Sequence, residues 1–344
     1  MQDIVIQPRV SVVITTYNYE QFVAAAIESV LRQTVRPDEI VVVDDGSTDG
    51  TAAVVARYAG RGVRYIRQAN AGAGAARNRG IRETRGDLIA FLDADDRWLP
   101  DKLARQLAHL RRYPAAGLVT GGEWQVFGAG RPPVRVRRRP APAARLYPRI
   151  LIENLIGNPS LTLVRRACFA GVGGFDETLP LGQDWEMWIR IARTYRIGVI
   201  DAPLIDFTQH EGSLTAGKVA ERHRSNRVIR RRYLGEVQPL ARRAYLWSAG
   251  QSMSCFHMAA ALADQPARHA TTLPLALLAL ALDPGYRTKE KVGLCLRAAL
   301  GPAAFARTRR ALRRATAGAP ALPGPAAPEP AEAPYANVPA RRRR

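Results

Sequence analysis

The chain has 344 residues, of which 47% are apolar, and it carries a formal net charge of +21. This is enough for a proper core in one large domain with an appendage, or in two domains. Cys168, Cys255 and Cys295 have neither paired nor metal-binding spacing, which favours free thiols in a reducing compartment. We find no secretion signal, and no apolar run reaches the roughly 18–20 residues of a membrane-spanning helix. The sequence predicts a cytoplasmic protein, which could lie peripherally on the inner face of the cell membrane.

The first 120 residues alternate between short apolar runs and segments of helical periodicity. The apolar runs predict strands that are buried on both faces of a parallel sheet. In the first helical segment, Asn18 is predicted to cap the helix, with Gln21 in the capping-box position. Four successive β-α units predict a doubly wound, mostly parallel α/β sheet with right-handed crossovers. The predicted strands are Val10–Thr15, Ile40–Asp44, Val63–Ile66 and Leu88–Asp93.

Polar side chains are concentrated at the carboxyl ends of these strands, where ligands bind in sheets of this kind. Five of the seven residues there are acids, and their mutual repulsion is costly unless something compensates it. A bound Mg²⁺ or Mn²⁺ would do so, since both prefer oxygen ligands and bind through one or two carboxylates together with substrate phosphates. The residues are Thr15, Asp44, Asp45, Arg67, Asp93, Asp95 and Asp96.

The middle of the chain is less regular. Residues 131–149 are rich in proline and arginine and contain no acid, so we expect a flexible excursion. A strand is predicted over Ser160–Arg166, then a glycine-rich loop and a helix that begins near Gln183. The segment Ile197–Thr215 is predicted to form an edge strand and a loop.

The last third differs in composition from the rest. Residues 216–344 contain 23 basic and 7 acidic side chains, a net charge of +16. They are helical in pattern as far as residue 317, and the Ala/Pro/Arg-rich tail 318–344 is predicted to be disordered. We therefore expect three regions: a catalytic domain over 1–215, a basic helical region over 216–317, and the tail.

Six motifs in order resemble the inverting nucleotide-sugar glycosyltransferases of family 2, which have the GT-A fold. They are SVVITTYN, VVVDDGSTDGT, NAGAGAARNRG, GDLIAFLDADD, GGFDE and GQDWEMWIRIA. The resemblance covers roughly residues 8–215. It implies metal-dependent transfer of a sugar, with inversion, from a nucleotide-sugar donor to an acceptor hydroxyl. It also implies a part in the synthesis of cell-surface polysaccharide or glycoconjugate.

The resemblance assigns roles to individual residues. It implies that Thr15 and Tyr17 line the nucleotide base, that Asp45 hydrogen-bonds the base, that Arg77 lies near the nucleotide and that Asp93 lies near the ribose. These five residues form the expected donor site.

The resemblance also implies a metal site and a base. In the D-x-D motif Asp95 is the expected ligand of Mn²⁺ or Mg²⁺, together with Asp93, and His210 is expected near the diphosphate or the metal. Asp184 matches the general base of the family, which would take the proton of the acceptor hydroxyl. Gln183 departs from the glutamate usual at its position.

Two other classes of protein remain as alternatives. A nucleotidyltransferase also uses a doubly wound sheet and metal carboxylates, but residues 15–22, TTYNYEQF, lack the glycine-rich phosphate loop expected after the first strand. A non-catalytic binder of anionic polymers would use the basic C-terminal region. Trp185 and Trp188 are interpreted equally well as core residues or as sugar-stacking residues.

The expected partners are the nucleotide-sugar donor and a glycan or lipid-linked acceptor. The basic helical region could be a solvated face or could bind an anionic membrane surface. Nucleic-acid binding is disfavoured, because the sequence has no recognition motif and no interleaving of aromatic and basic residues.

Overall fold

The structure is a computed structural model, which describes residues 8–127, 131–138, 140–210, 212–213, 218–262, 269–283, 290–292, 294–295 and 298. The tail predicted to be disordered, residues 318–344, lies outside the described residues, as do residues 299–317 of the predicted helical region.

One mixed sheet of ten strands forms the centre of the protein, in the order β3-β2-β1-β4-β9-β6-β10-β5, with β7 paired to β6 and β8 to β10. The strands β1 to β4 are parallel to one another, β4 is antiparallel to β9, and β6 is parallel to β10. The strands are β1 Val10–Thr16, β2 Glu39–Asp44, β3 Val63–Arg67, β4 Leu88–Asp93, β5 Arg97–Trp98, β6 Ala116–Phe127, β7 Val134–Val136, β8 Ala141–Ala144, β9 Leu163–Arg165 and β10 Arg196–Gln209.

Helices cover both faces of this sheet, which confirms the predicted α/β class. The described helices are α1 Val23–Leu31, α2 Thr51–Ala56, α3 Ala73–Glu83, α4 Lys102–Arg112, α5 Arg166–Val172, α6 Gln183–Thr194, α7 Val219–Leu234, α8 Leu240–Leu262 and α9 His269–Leu282.

The core is divided into two clusters because successive strand residues point to opposite faces. On β1, Val13 lies in the cluster that also contains Trp188 of α6, whereas Val12 and Ile14 lie in the cluster formed with α1 and α4. The four predicted N-terminal strands are confirmed to within one residue at each end. Their continuous apolar runs follow from this burial on both faces.

The register of the central strands brings their carboxyl ends together. Thr15 is paired with Asp93 of β4 on one side and with Val43 of β2 on the other. Thr16 is paired with Asp44, so the polar residues that follow β1, β2 and β4 lie at one edge of the sheet. This edge contains the candidate site.

Three local predictions were wrong. The segment 131–149 is no simple excursion, because it contains β7 and β8, which pair with the sheet. The strand β10 is not an edge strand, since it lies between β6 and β5. The helix α1 begins at Val23 without a side-chain cap, and Asn18 instead has a φ of 54° and accepts a hydrogen bond from the Thr48 amide (2.8 Å).

The helices α7 and α8 of the C-terminal region pack on the α6 face of the sheet, and α9 packs on α8. Ile229 and Tyr233 of α7 and Leu246 of α8 share one hydrophobic cluster with Trp188. The predicted domain boundary near residue 215 stays a prediction, and side chains on both sides of it lie in this cluster. Within the described ranges, we find no helix with the length and apolar character of a membrane span.

Candidate active site

Asp93 stands at the end of β4, where three other elements hold it. The Thr15 hydroxyl donates to its Oδ1 (3.1 Å), and Arg77 Nη2 donates to the same oxygen at 2.7 Å. The Asp93 amide donates to Ser160 Oγ (3.0 Å). Arg77 is almost wholly buried on α3, and its guanidinium lies 5.6 Å from the centre of the Phe175 ring. Three of the predicted donor residues therefore meet in one cluster.

Asp95 faces His210, which follows the last residue of β10. The imidazole Nε2 lies 3.1 Å from Asp95 Oδ2. Burial raises the pKa of the Asp95 carboxyl, the charge of Asp93 adds to this rise, and the hydrogen bond with His210 opposes it. Phe22 and Tyr19 pack against the His210 ring. The structure thus brings together two of the three predicted metal ligands, although they are 115 residues apart in sequence.

The Asp96 side chain, unlike those of Asp93 and Asp95, is fully buried in the protein. Its side chain accepts hydrogen bonds from the Ser160 hydroxyl (2.6 Å) and from the Thr208 amide (3.2 Å). Burial, together with the charges of Asp95 and Asp93, raises the pKa of Asp96 well above its usual value. Asp96 therefore ties the D-x-D loop to β10, two residues before His210.

The chemistry of the paired side chains fits a divalent cation. A carboxylate and an imidazole are ligands that Mn²⁺ accepts, and ions of this class complete their coordination with substrate phosphate oxygens and water. The described residues contain no group of three or more His, Cys, Asp or Glu side chains arranged to bind a metal. The pair of Asp95 and His210 is consistent with a site that takes its remaining ligands from the substrate.

Asp184 lies in the first turn of α6, and Asn154 Nδ2 donates to its Oδ2 (3.2 Å). Burial raises the pKa of the Asp184 carboxyl. The Trp185 amide and the Arg77 guanidinium oppose this rise, whereas Asp93 adds to it. Helix α3, which carries Arg77, lies against the start of α6, where a Cβ atom at Gly74 would be 3.6 Å from Gln183 Cγ. The first turn of α6 therefore lies beside the helix that carries one of the predicted donor residues, and the role of Asp184 as the base stays a prediction.

Asp45 and Tyr17 lie apart from this cluster. The Asp45 carboxylate is buried and accepts hydrogen bonds from Gln68 Nε2 (2.8 Å), the Ala71 amide (3.0 Å) and the Gly72 amide (2.8 Å). It therefore fixes the loop that leads into α3. Tyr17 is nearly half exposed, just beyond the end of β1.

The two tryptophans of α6 are core residues. Trp185 and Trp188 are both buried, and their ring nitrogens donate to the carbonyl groups of Ile150 and Gly157, each at 2.9 Å. The sugar-stacking interpretation of these side chains was wrong. Gln183, at the position where a glutamate is usual, is buried and donates to the Leu179 carbonyl (2.7 Å).

Sequence reasoning missed the polar residues that orient the acids. Asn154 and Ser160 lie in the irregular segment between β8 and β9, and each contacts an aspartate at least 30 residues away. Their spacing fits no helical or strand period. The only signal was a cluster of Asn, Gly, Pro and Ser in NLIGNPS, residues 154–160, which is typical of any loop.

Solved structures share this architecture. TarS of S. aureus in complex with UDP-GlcNAc has a TM-score of 0.60 and 19% identity, over 89% of this chain and 92% of that chain. Mannosyltransferase PcManGT from Pyrobaculum calidifontis, in complex with GDP-Man and Mn²⁺, has a TM-score of 0.50 and 23% identity, over 86% of both chains. The fold therefore defines a GT-A-type α/β protein, as predicted.

Sequence comparison then gives the family. The model of glycosyl transferase family 2 matches residues 11–171, a little under half of the chain, and this segment is a family 2 glycosyltransferase domain. An uncharacterized glycosyltransferase of Rickettsia felis is 32% identical over 213 residues, 60% of this chain and 35% of the relative. The putative teichuronic acid biosynthesis glycosyltransferase TuaG of Bacillus subtilis is 37% identical over 119 residues, 33% of this chain and 47% of the relative. The match thus spans less than half of either relative.

The pair of Arg77 and Asp93 gives a stability prediction. Arg77→Met leaves the partly buried Asp93 carboxylate without its guanidinium partner. We therefore expect the free energy of unfolding to fall by about 1–3 kcal/mol. Urea denaturation measures it. The matched control is Arg105→Met, which removes an exposed ion pair with Asp101 and should change stability by no more than about 0.5 kcal/mol. Equal effects of the two substitutions would contradict the structural role of Arg77.

Proposed function

We propose that the protein is a metal-dependent inverting glycosyltransferase that moves a sugar from a nucleotide-sugar donor to an acceptor hydroxyl. The observation that carries the proposal is the cluster at the end of β4, where Arg77 Nη2 lies 2.7 Å from Asp93 and His210 Nε2 lies 3.1 Å from Asp95. The match of residues 11–171 to family 2 supports the same reaction and favours it over nucleotidyl transfer and over non-catalytic binding of anionic polymers. The names of the relatives support a role in the synthesis of cell-surface polysaccharide.

On this proposal the donor lies across the carboxyl ends of β1, β2 and β4. Thr15, Arg77 and Asp93 would contact its ribose and phosphates, and Tyr17 would cover the base from the solvent side. Since the Asp45 carboxylate already accepts three hydrogen bonds from residues 68–72, it would recognise the base by holding that loop as well as by direct contact. TarS with UDP-GlcNAc and the mannosyltransferase with GDP-Man support a nucleotide-sugar as donor.

The residues that would hold Mn²⁺ or Mg²⁺ are Asp95 and His210, with Asp93 beside them. A bound cation would neutralise the negative charge that develops on the leaving nucleoside diphosphate. Asp96 would keep the two ligands together through its hydrogen bond to the Thr208 amide. The complex of the mannosyltransferase with Mn²⁺ is consistent with this assignment.

Asp184 would act as the general base on the side of the anomeric carbon away from the diphosphate. Its carboxylate would accept the proton of the acceptor hydroxyl as that oxygen attacks the anomeric carbon. Asn154 would orient the carboxylate, since its amide nitrogen donates to Asp184 Oδ2. Attack from the side opposite the leaving diphosphate inverts the anomeric centre.

A donor screen tests the reaction class. The purified full chain is incubated with Mn²⁺ or Mg²⁺, a panel of nucleotide sugars and simple acceptors, and release of the nucleoside diphosphate is measured. We expect turnover with at least one donor and none in the presence of a chelator. Turnover that the chelator leaves unchanged would contradict the metal, and the absence of turnover with every donor would contradict the transferase assignment.

The metal assignment gives a binding prediction. Asp95→Ala should abolish the Mn²⁺-dependent part of nucleoside diphosphate binding and leave the fold intact, because the cation loses its carboxylate ligand. Titration calorimetry with UDP and GDP, with and without Mn²⁺, measures it. Asp101→Ala removes an exposed aspartate just before α4 and serves as the control, with unchanged binding. The assignment is wrong if the two variants bind alike.

The base assignment gives a kinetic prediction. Asp184→Asn keeps the size of the side chain and removes the proton acceptor, so we expect turnover to fall by about 10²–10⁴-fold with near-normal donor binding. Because the base works only when ionised, the wild-type rate should fall as the pH drops through the pKa of Asp184, which burial raises from its ordinary value. The variant should lack this acid limb. A parallel loss of donor binding would instead assign Asp184 to the donor site.

We also propose that the C-terminal helices bind an anionic membrane surface, where a lipid-linked acceptor would be found. Arg224 and Arg231 are exposed and seven residues apart, so they lie on one side of α7. Basic side chains on such a face are attracted to anionic headgroups. This would place the protein on the cytoplasmic face of the cell membrane.

Vesicle sedimentation tests the membrane proposal. The full chain should sediment with phosphatidylglycerol vesicles and be released as salt rises, because exposed charges are screened beyond about 8 Å at physiological ionic strength. The double substitution Arg224→Gln and Arg231→Gln should weaken the binding, whereas Arg111→Gln and Arg112→Gln on α4 should not. Equal sedimentation with neutral phosphatidylcholine vesicles would rule out an electrostatic anchor.

A further inference from the structure

The helix that carries Asp184 is covered by α7. Gly182, the residue before α6, has a φ of 82°, which favours glycine. A Cβ atom at this position would lie 2.9 Å from Ile229 Cδ1 of α7. The C-terminal region therefore touches the turn from which the predicted base projects.

Arg230, next to Ile229, joins three parts of the protein. Its side chain is buried, and its Nε donates to the Leu151 carbonyl (2.8 Å) while Nη2 donates to the Ile152 carbonyl (3.4 Å). Its Nη1 donates to Gln251 Oε1 on α8 (3.1 Å). The guanidinium also lies 5.5 Å from the centre of the Trp185 ring.

These contacts reach Asp184 from two directions. Trp185 is the next residue along α6, and its ring nitrogen donates to the Ile150 carbonyl. Ile152 is two residues before Asn154, whose amide donates to the Asp184 carboxylate. One guanidinium thus fixes the helix that carries the base and the loop that carries the hydrogen-bond donor to the base.

The stability of the fold gives little reason to keep an arginine here. Among the described residues no carboxylate pairs with Arg230, and burial lowers its pKa to about 10. Taking a charged group out of water is costly, and its partners repay that cost only when their geometry is excellent. Only a planar guanidinium can serve two carbonyl groups and an amide oxygen from one side chain, which is a geometric rather than an energetic advantage.

A second group of contacts ties α7 to the same helix. Glu186 is buried one turn into α6, where it pairs with Arg190 (2.8 Å) and accepts a hydrogen bond from the Tyr233 hydroxyl. Arg232 pairs with Asp176 (2.7 Å) in the loop before α6. The contacts of Arg230 are therefore part of a continuous interface between α7 and α6, the helix that carries Asp184.

We propose that Arg230 is a positioning residue for Asp184, and that α7 belongs functionally to the catalytic unit. The inference rests on the proposed role of Asp184 as the base. Arg230 holds the Asp184 carboxylate and the Asn154 amide in register, so that the proton acceptor meets the acceptor hydroxyl in line with the donor.

The test uses full-length Arg230→Met, which keeps the bulk of the side chain and removes the donors, with a donor found in the screen. A misplacement of about 1 Å costs up to about 10²-fold in rate, so we expect kcat to fall about 10- to 100-fold. The KM for the donor and the calorimetric affinity for the nucleoside diphosphate should change by less than about twofold. The control is Arg105→Met, which alters an exposed arginine of α4 far from these contacts in sequence and should keep wild-type kcat.

A double-mutant cycle separates positioning from general damage to the structure. Adding Arg230→Met to Asp184→Asn should give no further loss of kcat, because the group that Arg230 positions is already gone. If Arg230→Met fails to fold, judged by its thermal transition, Arg230→Lys takes its place. Lysine keeps the charge but not the planar fork, so kcat should still fall about 10-fold.

The outcomes distinguish this inference from the proposed function. Wild-type kcat in the folded Arg230 variants, or losses that multiply fully in the cycle, would overturn the positioning role while the base assignment stands. Wild-type turnover by Asp184→Asn would overturn the base itself, and the positioning role with it. A loss of kcat that is absent from the Asp184→Asn background supports both.

Discussion

Three carboxylates within four residues, at the end of one buried strand, are the constraint around which the candidate site is built. Each would be costly to ionise so close to the others, and each is compensated by a different part of the chain. Arg77 of α3 pairs with Asp93, and His210 after β10 contacts Asp95. Ser160 and the amide of Thr208 hydrogen-bond to Asp96. The order of the strands matters because it brings these distant segments to the end of β4.

The sequence was sufficient to predict those strands and helices whose own residues carry a clear hydrophobic pattern. The strands β1 to β4 could be found because burial on both faces leaves continuous apolar runs, and α6 could be found from its glycine-rich entry and helical spacing. The strands β7 and β8 could not, because short strands rich in arginine and proline owe their pairing to β6 and β10 rather than to their own propensity. The cap at Asn18 failed for a related reason, since a contact with Thr48 outweighed the local capping pattern.

The candidate site shows the same division. Asp93, Asp95 and Asp184 could be located because their motifs are continuous in sequence. Asn154 could not, since its importance comes from a contact with a residue 30 positions later. The roles of the individual arginines of α7 could not be predicted either. Composition cannot distinguish the six arginines that lie within eleven residues of the sequence. In the structure, however, Arg230 is buried against backbone carbonyl groups, while Arg224 and Arg231 are exposed.

The packing of α7 against α6, the helix that carries Asp184, has a consequence for protein engineering. Segments of two related enzymes can be joined into a hybrid, and the end of the family 2 motifs near residue 215 would be the obvious crossover point. In a hybrid joined there, the carbonyl groups of Leu151 and Ile152 would face a helix from the other enzyme and would lose the guanidinium that donates hydrogen bonds to them. Since Gln251 of α8 also binds Arg230, a crossover after residue 262 would transfer the base helix together with the side chains that hold it.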